Sequence, residues 1–152
     1  VSLSREEVFS LLAEGQSLAG ERLAGLDLSG LEAEWADLTG ADLSGANLTG
    51  ARLQGVNLAG ANLSRAQLAN AQLLRADLSD ADLTGATLSG ARLTSSTLER
   101  ATLGAADFRE ARFERCILDG VDLTSVRLGR TSLRQSLFVG VRAAGVDLRA
   151  AI

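Results

Sequence analysis

The sequence has no histidine and no tyrosine, so the most common general base and a common phenolic acid are both missing. Its single cysteine, Cys116, makes neither a disulfide framework nor a metal cluster, and it falls where a small inward side chain is required, as a buried core thiol. Apolar residues are spaced rather than run together, so no transmembrane helix or signal-peptide core is present, and the cytoplasm is the expected location. Lysine is absent and all fifteen cations are arginine, whose planar guanidinium makes bidentate surface contacts that lysine cannot. Nor is the chain basic: a net charge of −4 and a pI near 4.8 argue against a general nucleic-acid binder, and no membrane contact is expected. Methionine is missing too and the chain opens at Val1, so it is expected to be a domain cut from a longer protein.

What is present is a register. From Leu18 to Leu148 every fifth residue is a large apolar one, with 22 Leu and three Phe (Phe108, Phe113, Phe138) among 27 positions; Ala33 and Ala143 are the exceptions. Two residues earlier sits a small side chain, which between Ala36 and Val146 is always Ala, Val, Ser, Thr or Cys. Residues two apart on an extended chain point to the same side, so small-x-Leu is a minimal strand with two side chains inward and one outward. A five-residue step cannot hold one face of an α-helix. The two remaining residues turn the chain, and 14 of the 16 Gly lie at positions divisible by five, where that turn calls for positive φ. Four such sides close a coil of about twenty residues, and coils stacked at about 4.8 Å build a β-helix with a dry interior of Leu, Phe and small side chains.

The run ADLTG ADLSG ANLTG, with ANLSR and ADLSD after it, resembles the pentapeptide-repeat family. That resemblance implies a right-handed quadrilateral β-helix, here an all-β solenoid of about six to seven four-sided coils over residues 18–152. Residues 1–17 form the lead-in and a short capping helix. Ser4-Arg5-Glu6-Glu7 reads as a capping box, Val8, Leu11 and Leu12 share a face, and Gly15 ends the helix. The helix either lids the first coil, hiding its unpaired backbone groups, or binds a partner. Trp35 replaces the usual corner glycine, near Ala33. It either covers the gap left there or stands out as an aromatic anchor.

If residues twenty apart stack, the outer surface can be read side by side. The side through residues 51–55 to 131–135 carries Arg52, Arg75, Arg92, Arg112, Arg115 and Arg134 against Glu114. The next, through 36–40 to 136–140, carries Asp37, Asp77, Asp80, Glu99 and Asp119 against Arg100. Such polarity orients a partner and speeds encounter, or else it pairs across corners and serves only solvation. Near the C-terminus the outward position turns apolar at Ile117 and Leu137, and Val139 follows. With Phe138, Val141, Val146 and Ile152 these form a candidate homodimer surface through the C-terminal coils, or the cut face of a missing domain. Asp42, Asp82 and Asp122 should stack, but a flat ladder without convergent ligands makes a poor cation site. No glycine cluster has phosphate-loop spacing, and neither a cofactor nor a metal is implied.

These features point to a non-enzymatic module for binding another protein. The lead-in Leu3–Leu28 resembles segments preceding pentapeptide repeats in large bacterial proteins linked to type VI secretion, implying a docking domain. The alternative is the topoisomerase-protecting branch of the family, whose acidic rods resemble DNA and occupy gyrase. The acidic side and the C-terminal patch favour it, whereas the arginine side and the lack of loops count against it.

Overall fold

A computed structural model describes residues 3–146; Leu148 and Ile152, assigned above to the register and the apolar end, lie outside the described residues. The chain opens with helix α1 (Arg5–Ala13). Its first turn is capped reciprocally: the Glu7 N–H donates to Ser4 Oγ at 3.2 Å, and the Ser4 N–H donates to the Glu7 carboxylate at 2.7 Å. At the other end Gln16 N–H reaches Leu11 O and Gly15 N–H reaches Leu12 O, both at 2.9 Å, with Gly15 at φ 72°. This crossed pair is the Schellman arrangement, which turns the chain sharply into the coils.

The helix packs as a lid. Val8 is fully buried, and Phe9, Leu11 and Leu12 lie against the same core as the first coil's Leu18, Leu23 and Leu28. Arg5 fastens it from outside, lying over the Phe9 ring at 4.9 Å and contacting both the Asp27 carboxylate (3.1 Å) and the Asp27 carbonyl (2.9 Å).

Beyond the lid the chain advances by stacking. Parallel bridges join residues twenty apart, from Arg22–Asp42 to Asp122–Arg142. Each bridge is a pair of backbone bonds such as Leu23 N–H to Asp42 O (2.7 Å) and Asp42 N–H to Glu21 O (2.9 Å). Only three residues separate consecutive corners, so pairing contracts to isolated bridges and no extended strand is drawn out among the described residues. Most corners are closed by a short bond such as Ala46 N–H to Leu43 O (3.0 Å), with the residue before the donor at positive φ, as a type II turn requires.

Side-chain chemistry does not dictate that corner conformation everywhere. Twelve of the described non-glycine residues, Arg65, Asp80 and Ala105 among them, adopt φ of 57–62° at a cost of about 1 kcal/mol each. The stack therefore imposes the corner on whatever residue arrives there. Among the described corners from Gly15 to Gly145 only Ser125 stays out of the left-handed region; its Oγ accepts the Ala105 N–H at 3.0 Å in place of a backbone carbonyl.

Inside, the Leu column is solid, with Leu53, Leu58, Leu63 and Leu68 all at 0% exposure. Phe108 and Phe113, on adjacent sides, meet edge to face at 4.8 Å between centroids. Leu31, larger than the usual occupant of its site, is also buried, whereas Leu26 is only half-buried. Where the small inward residue is polar it finds a carbonyl: Ser96 donates to Leu73 O (2.5 Å), Thr131 to Phe108 O (2.6 Å) and Ser136 to Phe113 O (2.6 Å). Cys116 makes the equivalent contact to Leu93 O, and burial pushes its thiol pKa up to about 11. It is a core residue rather than a nucleophile. Towards the C-terminus the column opens, with Leu133 half-buried and Phe138 exposed.

Candidate functional site

With the axis filled, the outer skin alone is left to meet other molecules. On the first side the bridges place Arg52, Gln72, Arg92, Arg112 and Ser132 in one file. Arg75 and Arg115 occupy left-handed corners beside it, and the Arg115 guanidinium donates to Gln135 Oε1 at 3.1 Å. Arg92 and Arg112 sit directly opposite each other in the ladder, a pairing of like charges that works against folding. Among the described residues neither they nor Arg75 and Arg134 have a carboxylate within ion-pair distance. Arg52 differs, because it pairs with Glu32 at 3.5 Å and Glu34 at 3.1 Å from the preceding coil. Counting back twenty residues from Arg52 would have revealed Glu32; starting the side at residue 51 concealed it.

The acidic side is assembled as the twenty-residue step requires, and two of its five carboxylates are paired with its one cation. Arg100 grips Asp80 through two bonds of 2.8 and 2.9 Å and also contacts Glu99. The Arg100 guanidinium holds the Asp80 carboxyl below its usual range. Asp119 accepts the Val139 N–H at 2.8 Å. Asp77 accepts the Ser79 N–H at 2.9 Å, and Asp37 accepts bonds from Ser17 Oγ and from the N–H and hydroxyl of Thr39.

The same file continues into the apolar patch, where Ile117 and Leu137 bridge and are 38% and 57% exposed, with Val139 at 67%. The third carboxylate set is interrupted: Asp42 and Asp82 flank Asn62 in one file, while Asp122 faces Arg142 at 3.7 Å. Among the described residues no group of three or more Asp, Glu or Cys converges to hold a metal, and no helix is long and apolar enough to cross a membrane.

The Asp and Asn of the repeat have a local task that spacing alone did not reveal. Their side-chain oxygen accepts the N–H two residues on, as in Asp42 to Ser44 (3.1 Å), Asn62 to Ser64 (3.0 Å) and Asp82 to Thr84 (2.9 Å). This Asx turn prepares each corner. Vertical bonds add to it: Asn47 and Asn62 donate to Asp27 (3.0 Å) and Asp42 (3.2 Å) in the coil before.

Trp35 is 61% exposed at φ 62°. Its six-membered ring lies over the Gly55 backbone, occupying the space a Cβ would take there. Together with Ala33 and the end of α1 it lines a groove, so it both borders the gap near Ala33 and remains accessible.

A solenoid of five-residue sides around a filled axis is a repeat scaffold whose chemistry is confined to its surface. The pentapeptide-repeat profile matches residues 14–45, 46–85, 76–115 and 116–152, eight copies in all, and the chain belongs to the pentapeptide-repeat family. It is similar to a pentapeptide repeat protein of Nostoc PCC 7120, with 31% identity over 82% of this chain and 92% of that one and a TM-score of 0.39. It is also similar to a pentapeptide repeat protein from the thylakoid lumen of Arabidopsis thaliana, with 31% identity over 64% of this chain and 68% of that one and a TM-score of 0.41. A trypsin-treated variant of QnrB1, a plasmid-mediated fluoroquinolone resistance protein, is 25% identical over 89% of this chain and 76% of that one, with a TM-score of 0.43. No curated protein sequence matches.

Proposed function

We propose that the protein is a non-enzymatic interaction scaffold, a right-handed solenoid of six to seven coils that presents its arginine side to an acidic surface on a partner protein in the cytoplasm. The observation that supports this is the Arg92–Arg112 step. Two guanidinium groups stacked one coil apart, with no carboxylate within ion-pair distance of either among the described residues, cost stability, and an incoming carboxylate relieves that cost. A docking domain within a larger bacterial protein is consistent with such a side. The gyrase-occupying alternative has less support, because it draws on the acidic side, where Asp80 and Glu99 are already engaged by Arg100.

The test is reversal of charge at Arg52, Arg92 and Arg112. All three are exposed outward positions, so the triple Arg→Glu variant is expected to fold while losing, in affinity capture, the protein that the wild type retains. Equal recovery by the two proteins would refute the arginine-side reading.

A further inference from the structure

The groove between the end of α1 and the first complete coils is a second surface feature, which adjoins the arginine side at Arg52. One wall is Leu12 and Gly15 from the end of the helix, the floor is Ala33, and the opposite wall is the Trp35 indole. Ala33, itself buried, stands where the register otherwise places an inward Leu.

The charge around it has one sign. Glu32, Glu34 and Asp37 line the groove, and among the described residues no cation does. The nearest identified counter-charge is Arg52, a single guanidinium shared between Glu32 and Glu34. Bonds from the Thr39 hydroxyl and N–H hold the Asp37 carboxyl below its usual range, so it stays ionised in mildly acid solution. The C-terminus of α1, which carries the negative end of the helix dipole, points no basic residue at this region from its last turn. An exposed indole beside surplus negative charge is the arrangement that takes a cationic group by cation–π attraction, and a guanidinium also stacks flat on the ring.

We infer that this groove is a receptor for an arginine side chain borne on a basic peptide segment of a partner protein, with Trp35 stacking on the guanidinium and Glu34 and Asp37 accepting its hydrogen bonds. A second copy of this chain fits less well. With a net charge of −4 it brings more carboxylates than guanidinium groups to an already acidic groove.

The single tryptophan gives a clean readout. Titration with a capped Gly-Arg-Gly-Arg-Gly peptide should change indole emission saturably, and the citrulline counterpart, which keeps the shape but lacks the charge, should bind about tenfold more weakly. In the Glu34→Gln/Asp37→Asn variant the response should fall by a similar factor while the thermal transition remains cooperative. Trp35→Ala, followed by calorimetry with the same peptide, should also lose binding. Equal binding of the citrulline peptide, an unchanged response in the double variant, or no saturable response at millimolar peptide would each overturn the inference. None of these outcomes bears on the arginine side, whose test uses different residues and a different partner.

Discussion

Gly55 shows how one position can serve two purposes. Its φ of +66° is the ordinary corner conformation, shared with Gly60 at the same angle. At Gly60 an added Cβ meets nothing within 4 Å, whereas at Gly55 it falls 2.2 Å from the Trp35 ring. Gly60→Ala and Gly55→Ala are therefore both expected to lose about 1 kcal/mol in denaturant unfolding from the corner conformation alone. Only Gly55→Ala should shift the tryptophan emission, because the exposed indole can swing away at little cost. Unchanged emission in Gly55→Ala would show that the indole does not rest on that backbone. The sequence marked Trp35 as anomalous by its place at a corner. What it touches depends on the residue one coil later being glycine, and no local pattern reveals that.

At the scale of one side, the Asp and Asn of the repeat act through the corner they precede. The carboxyls of Asp37, Asp42 and Asp122 are held below their usual range, chiefly by the side-chain hydroxyls and then the backbone N–H groups of Thr39, Ser44 and Thr124. A carboxyl whose pKa is lower folded than unfolded adds stability above the unfolded value, about 3.9, and loses that contribution as pH falls through the folded one. The melting temperature is thus expected to be level above about pH 5 and to drop below about pH 4. Asn makes the same bond without titrating, as Asn47 and Asn62 do. The Asp37→Asn/Asp42→Asn/Asp122→Asn variant should show a shallower acid limb in thermal melts across that range, and an acid limb as steep as the wild type's would remove these groups from the account. The alternation of Asp and Asn in ADLSG ANLTG was legible; its meaning as one shared hydrogen bond was not, because outward polar residues also read simply as solvated surface.

For the whole molecule, stability runs along one dimension: each coil rests on two neighbours, and the end coils on fewer. Leu63, fully buried mid-column, and Leu133, half-buried near the open end, have the same role in the register. Leu63→Ala should cost about 2–5 kcal/mol by leaving a closed cavity, and Leu133→Ala less than half as much because water already reaches its site. Chemical denaturation of the two variants decides this, and equal losses would mean that the column is as tight at its end as at its middle. The five-residue period, the twenty-residue step, the capping box and the inward Cys116 could all be read from the chain because each depends on spacing. The Arg52–Glu32 and Arg100–Asp80 pairs also stand one twenty-residue step apart and could have been read from it, whereas the reach of Arg52 to Glu34 and the groove beside Trp35 could not, since each depends on side-chain placement between coils.

The twenty-residue step between bridged positions, five residues to a side, also fixes what insertions can do. Adding or removing one five-residue unit mid-chain keeps every Leu inward yet swings everything downstream through a quarter turn, scattering the arginine file onto a neighbouring side. A whole-coil duplication lengthens the rod and preserves its compass. Lineages that keep a working face should therefore change length in multiples of twenty residues, and those released from partner binding in multiples of five.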